Sequence, residues 1–580
     1  MKEVLTAEGL MLVREAVERL EKAYHPEDGF VWLKLDEGRE HPRLRESMYY
    51  ALGGLSLAEY EAAREAGAGN NGTQTAAGQT GNGRIREAAA RAERIITAVL
   101  DTQMDAPGEV WHGAFRHPDA ERPPKMPFDW RTVSLKARYQ ADVAWERITG
   151  RFGQILQEEA PEERGRMERL LKKALTDTIP VAWDTYEPNV REFIGITLAM
   201  ALEHFEERLP AELVKRIEES GRLLTEGAIA RAESDFTPLN TNIQIIYIFL
   251  LDWFGHRLGR EDWSRKAESE ARRLADGYRE YHSAAEFNSP TYCGVDLSML
   301  GFWRRYGHSE TLRELGEELE SGIWRDMADF YNPAMRNFCG PYSRCYELEM
   351  RLHTCMYDLL YLGLGERTWP DHPFSIESYG DPLLVLGRVT IPEDVKPRLL
   401  ANPEERLIRR NFRELSERGD PDGRHALCTA TAWIRPEIMA GAMAGSENTS
   451  YQLHPLVVFW RMKEGLGTLR MGRCLTDGTM CHLHTVLFDG GVTAGQAEMT
   501  VRNLCGQDAE AFFEIQGDGI RKDMIADGRW TLPGLSVELE AEPASRAEQA
   551  DDRTVRVYYA LPAAGEAVRF SLRFDWEKEK

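Results

Sequence analysis

The chain has 580 residues, 42% hydrophobic and 29% charged, which is enough apolar material for two large cores and argues against disorder. Its 95 acidic and 72 basic residues give a net charge of -23, which argues against sequence-independent binding to nucleic acid or to an anionic membrane surface. No apolar run is long enough to span a bilayer, and the charged opening Met1-Lys-Glu-Val has no apolar core of a signal peptide.

The eight cysteines include no C-x-x-C pair. Reduced thiols in a cytoplasmic protein are the expectation.

Residues 1–365 read as helices of two alternating kinds. Charged amphipathic helices are expected near 8–24, 84–102, 160–178, 210–232, 261–283 and 309–329. More apolar ones open with Pro42, Pro127, Pro188, Pro238, Pro290 and Pro341, the last five recurring at intervals of 61, 50, 52 and 51 residues. Buried helices covered by amphipathic ones in strict alternation make an (α/α)6 toroid, closed or incomplete. The low-complexity stretch 67–83 is expected to be a loop.

Two of these starts carry a tyrosine. Ser289 and Pro290 form an N-cap and a first helical residue for Tyr292, and Gly340 and Pro341 are expected to do the same for Tyr342 and Arg344. A helix N-terminus favours phenolate. In a toroid the inner helix starts converge on one mouth. This brings Asp129, Trp130 and Arg131, Asn189 and Arg191, Asn240 and Asn242, then Asn288, Tyr292, Tyr342, Arg344 and Tyr346 together, which are groups that grip sugars and carboxylates.

Residues 366–422 are rich in proline and glycine and read as a crossover. From 423 to 580 short alternating runs, among them 426–433, 456–460, 480–488, 511–515, 535–539, 555–559 and 568–574, predict an antiparallel β-sandwich.

Asn240-Thr-Asn242, Phe287-Asn-Ser-Pro-Thr-Tyr292 and Gly340-Pro-Tyr-Ser-Arg344-Cys-Tyr346, set in a helical toroid before a β-domain, resemble the heparinase II/III-like and alginate-lyase-like polysaccharide lyases. Those lyases often place a histidine beside the catalytic asparagine, whereas Asn242 is followed by Ile243 and Gln244. The resemblance implies a lyase that cleaves uronic-acid-containing glycans by β-elimination. Asn242, with Asn240 or Asn288, and Arg344 would neutralise the uronate carboxylate. Tyr292 would be the base, or both base and acid, with Tyr342 as second candidate. His353, His282 or His112 would supply a histidine, and Trp111, Trp130 or Trp183 a stacking platform.

Two other readings stay open. A glycoside hydrolase on the same toroid would use paired carboxylates drawn from Glu286, Asp296, Glu347, Glu349 and Asp129. A non-catalytic glycan-binding protein would keep the toroid alone. His482 and His484 share one face of an expected strand, but no third and fourth ligand accompany them, so no metal is expected. Without a phosphate-binding loop, no cofactor is expected either. A homo-oligomer is compatible with the sequence, which does not fix the oligomeric state.

Overall fold

The computed structural model describes residues 5–34, 40–68, 77–109, 111–120, 186–233, 241–352, 355–365, 368, 373–401, 404–414, 426–446, 452–476, 486–503, 509–562 and 567–576. Asp129, Trp130, Arg131, Trp183, Asn240, His353, His482 and His484 lie outside them, as do the expected helix starts at Pro127 and Pro238 and the helix over 160–178.

The first half is helical: α1 Ala7–Lys22, α2 Leu44–Ala68, α3 Ala77–Leu100, α4 Val190–Phe205, α5 Ala211–Glu233, α6 Thr241–Arg257, α7 Glu261–Tyr281, α8 Pro290–Tyr306, α9 Glu310–Phe330, α10 Met356–Leu364 and α11 Asp381–Gly387. Their composition sorts them into layers. α6 is apolar on nearly all sides and almost wholly buried, whereas α7 buries one stripe, Trp263, Ala267, Ala271, Ala275 and Tyr278. Among the described residues the inner helices pack in the order α2, α4, α6, α8, α11, and α11 returns to α2, closing a ring. Outside it, α3 covers α2, α5 covers α4, α7 covers α6 and α9 covers α8, while α1 lies against α2 and α11. The helical toroid expected from the alternation is therefore present.

Three local expectations need correction. Residues 77–83 open α3 rather than forming a loop. No helix begins at Pro341: residues 340–352 run as a loop, because Tyr342 pairs with His454 of the second half through its backbone. The stretch 366–422 is more than a crossover, since α11 completes the inner ring and Arg406–Arg413 is a strand. That strand is a sheet edge whose alternate side chains are exposed, so it carries little apolar signal.

Small ribbons join β1 Tyr24–His25, β2 Phe30–Leu33 and β3 His41–Arg43, and β4 Tyr331–Asn332 with β5 Asn337–Phe338. The second half is an antiparallel sandwich of β6 Arg406–Arg413, β7 Leu427–Ile434, β8 Ile438–Ala444, β9 Leu456–Arg461, β10 Leu466–Leu475, β11 Val486–Thr493, β12 Gln496–Asn503, β13 Ala509–Gln516, β14 Ile525–Ala526, β15 Arg529–Leu532, β16 Leu535–Glu540, β17 Arg546–Gln549, β18 Thr554–Leu561 and β19 Val568–Trp576. One sheet runs β17-β18-β13-β10-β9-β8-β7-β6 and the other β11-β12-β19-β16-β15-β14. β11 packs on β7 and β8, bringing the sheets face to face. β12 alternates buried and exposed side chains, as a sheet with one covered face should.

β8 is buried on both faces because the ring's 340–352 loop covers the side away from β11. The approach there is backbone to backbone. A Cβ on Gly441 would fall 1.7 Å from the Gly340 carbonyl oxygen. Around it Phe287 stacks on Phe412 at 4.1 Å between ring centroids, and Asn332 Nδ2 donates to the Arg435 carbonyl at 2.8 Å. Arg398 and Arg410 both reach Asp329. Among the described residues, no helix is long and apolar enough to cross a membrane.

Candidate functional site

The inner helices α2, α4, α6, α8 and α11 all begin at the same mouth, and the 340–352 loop lies over the start of α8. Ser289 caps α8, its hydroxyl accepting from the Tyr292 amide at 3.1 Å, with Pro290 as first helical residue. This cap fixes Tyr292 in the first turn. Its hydroxyl donates to Gln452 Oε1 of the sandwich at 3.1 Å. The Arg344 guanidinium lies 4.3 Å from the Tyr292 ring centroid, and the Tyr346 ring is at 5.9 Å.

Glu286 ties these parts together. Its Oε2 accepts from Asn242 Nδ2 at 2.8 Å and from the Asn242 backbone amide at 3.1 Å, and its Oε1 accepts from Arg344 Nη1 at 2.9 Å. A carboxylate thus sits at the positive end of α6, and the same group anchors Arg344 beside Tyr292. Asn242 and Arg344, expected to neutralise a substrate carboxylate, are here arranged around a carboxylate of the chain itself.

Burial outweighs the field of the helix end at Tyr292. It pushes the phenol well above its ordinary range, Tyr346 and Glu286 push the same way, and Arg344 opposes them. The phenol therefore keeps its proton at neutral pH, contrary to the expectation of a favoured phenolate.

The other candidates divide clearly. Tyr342 is buried, its hydroxyl donating to the Phe338 carbonyl at 2.5 Å, so it holds the loop together rather than facing the mouth. Asn288, in the left-handed region at φ 50°, spends its amide on the carbonyls of Cys339 and Pro341 at 2.7 and 3.0 Å. Asn189, Arg191 and His112 belong to another cluster. Arg191 donates to Glu192 at 3.0 Å and to the His112 carbonyl at 3.0 Å, Asn189 accepts from Arg231 at 2.8 Å, and His112 Nδ1 accepts from the Ala106 amide at 3.1 Å. Trp111 is buried beside Ala114 and Tyr186, which is packing rather than a platform. His282 ends α7 with its ring edge-on to Tyr278.

The carboxylates do not form an open pair. Asp296, one turn below Tyr292, is 0% exposed, and neither of its oxygens has a hydrogen-bond partner among the described residues. Burial, with Glu286 adding to it, pushes its carboxyl well up, so it is protonated and closed off from a glycosidic oxygen. Glu347 is exposed and offers its backbone carbonyl to the Cys345 thiol, and Glu349 lies 3.7 Å from Arg351. Among the described residues no group of three or more His, Cys, Asp and Glu side chains could hold a metal ion.

The sequence reading missed Gln452 and His454. Gln452 reaches Tyr292 from 160 residues away, and its carbonyl accepts from the Cys345 amide at 3.0 Å. The His454 Nε2 lies 3.0 Å from the Cys345 carbonyl oxygen, and burial, with Arg470 adding to it, brings its imidazole down to about 3. It is a neutral strut for the loop. The only local signal was polar residues before Pro455 at the start of an apolar strand.

Comparison with known proteins adds a frame. A family described as a domain of unknown function (DUF8769) matches residues 170–373, the span holding Asn242, Glu286, Tyr292 and Arg344. No curated protein matches the chain. Among solved structures it is similar to heparinase III at 9% identity and a TM-score of 0.32, over 90% of this chain and 91% of that one. It is also similar to the Streptomyces coelicolor A3 chondroitin AC lyase solved with chondroitin sulphate, at 10% identity and a TM-score of 0.45, over 97% and 79% of the two chains. A second heparinase III gives 8%, 0.33, 98% and 84%. These structural neighbours are polysaccharide lyases.

Proposed function

We propose that the chain is a carbohydrate lyase that cleaves uronate-containing oligosaccharides by β-elimination, with Tyr292 moving the proton. The observation that carries this reading is the Tyr292 phenol fixed by a helix cap under the Arg344 guanidinium, where the ring mouth meets the sandwich. In the reaction the C5 proton leaves, its electron pair forms the C4=C5 bond, the C4–O bond breaks and the leaving oxygen takes a proton. A phenol that stays protonated is suited to the last step. The substrate carboxylate joins Glu286 on Asn242 and Arg344, whose donors spread the enolate-like charge.

Removal of the C5 proton falls to Tyr292 after it loses its own proton, or to His353. The pH profile separates them, because a phenolate base moves the rising limb to alkaline pH and a histidine base leaves it in the imidazole range. The deciding experiment incubates the purified protein with a panel of oligouronides and follows ultraviolet absorbance of the conjugated double bond alongside new reducing ends. Absorbance with reducing ends supports elimination. Reducing ends alone would replace it with hydrolysis, and neither signal would leave a glycan-binding protein.

A further inference from the structure

The elimination chemistry gives Asp296 no part, yet a fully buried carboxyl whose two oxygens both lack a hydrogen-bond partner among the described residues calls for a cause. Tyr292, Asp296 and Trp303 fall within about 40° of one another around α8 and make one stripe. Trp303 shows where the stripe points, because its indole donates to the Ile245 carbonyl of α6 at 2.9 Å. Asp296, about two turns nearer the mouth, faces the start of α6, where Glu286 bonds Asn242. Glu286 acts on the Asp296 carboxyl, and both act on the Cys293 thiol.

We infer that Asp296 is a positioning residue that donates its carboxyl proton to Glu286 and so holds Asn242 and Arg344 in place for a substrate carboxylate. The inference deepens the lyase reading and rests on it for what Asn242 and Arg344 bind. Lone pairs can be counted. A carboxylate offers about four acceptor places. Among the described residues Glu286 fills three, two on Oε2 from the amide and side chain of Asn242 and one on Oε1 from Arg344 Nη1. The open place is on Oε1, beside Arg344. An ionised Asp296 would find no donor and would set a second negative charge in a space closed to solvent. An un-ionised Asp296 brings the O–H that the open place accepts and adds no charge. The groups that act on this pair or on its neighbours are Tyr292 and Cys293 on α8, Asp326 on α9 and Arg344 on the 340–352 loop. Arg344 is the cation among them, and a pair with one negative charge matches it.

The test reads the proton itself and needs no turnover. In the full chain with aspartate isotope-labelled at its side-chain carboxyl, the infrared spectrum at neutral pH should show the carbonyl band of an un-ionised carboxyl that Asp296→Asn removes. Glu286→Gln, whose amide is the weaker acceptor, should shift that band. No band that Asp296→Asn removes, or one that Glu286→Gln leaves in place, would overturn the inference. Kinetics on the oligouronide that the panel selects gives a second reading. Asp296→Leu should raise KM about tenfold to a hundredfold, the worth of a hydrogen bond to a charged group, and Asp296→Asn, which keeps a donor, should restore most of it. In the wild-type protein KM should climb as rising pH takes the Asp296 proton, and Asp296→Asn should flatten that climb. Equal losses in the Asn and Leu variants, with parallel pH profiles, would reduce Asp296 to packing. A band that Glu286→Gln shifts, with no ultraviolet product from any oligouronide, would keep the Asp296–Glu286 bond and remove the lyase reading. Ultraviolet product with an unmoved band would do the reverse.

Discussion

Ser289-Pro-Thr-Tyr292 and Gly340-Pro-Tyr342 look alike as sequences and differ as structures. The first is a capped helix end whose phenol lies under Arg344 and reaches the sandwich through Gln452. The second is a loop whose phenol turns inward to the Phe338 carbonyl. The first is settled by a contact three residues long, the second by a partner more than a hundred residues away, His454. The difference separates a tyrosine whose ring lies under an arginine at the start of a helix from one whose hydroxyl holds a loop together.

Substitution can break that contrast. Tyr292→Phe should lower kcat by about 10² to 10⁴, the usual worth of a positioned proton donor, with the melting temperature little changed. Equal activity in that variant, measured on whichever oligouronide the panel selects, would end the assignment. Gly441→Ala comes next, because its methyl cannot share space with the Gly340 carbonyl oxygen. It should cost about 3 kcal/mol of stability in denaturant titration and displace Arg344, so activity falls with it.

Tyr342→Phe should do the opposite of Tyr292→Phe. It leaves the Phe338 carbonyl without its donor, costs about 1 kcal/mol and keeps kcat within about twofold. Loss of turnover there would erase the contrast between the two tyrosines.

The smallest effect concerns pH. Asp326 accepts from the Tyr278 hydroxyl at 2.8 Å near the Asp329–Arg410 pair that links the halves, and burial raises its carboxyl to about 7. A raised folded value means that the stability it contributes is complete below about pH 4 and is lost as pH climbs through about 7. Asp326→Asn should flatten the fall in melting temperature across that window. An unchanged slope would place the titration elsewhere.

Much of the fold was legible because its signals are local. The alternation of apolar and amphipathic helices gave the ring, the alternating runs gave most of the sandwich, and Ser289 with Pro290 gave the true start of α8. Asn242, Tyr292, Arg344 and Tyr346 are brought to one place as expected from converging helix starts, with Arg344 and Tyr346 arriving on a loop. What the sequence concealed depends on distant partners. Nothing near Glu286 shows that it serves Asn242, 44 residues back, and Arg344, 58 residues on. The loop conformation at Gly340 is imposed by β8, and Gln452 has no local mark of its role.

The meeting of Gly340 with Gly441 bears on how such a protein can change over generations. Main chain touches main chain there, so a foreign sandwich spliced after the helices would have to reproduce a bare glycine at that one place before Arg344 could return to its post. Recombination near residue 400 would therefore pass on a ring whose 340–352 loop, with Arg344 on it, has lost the strand it rests on.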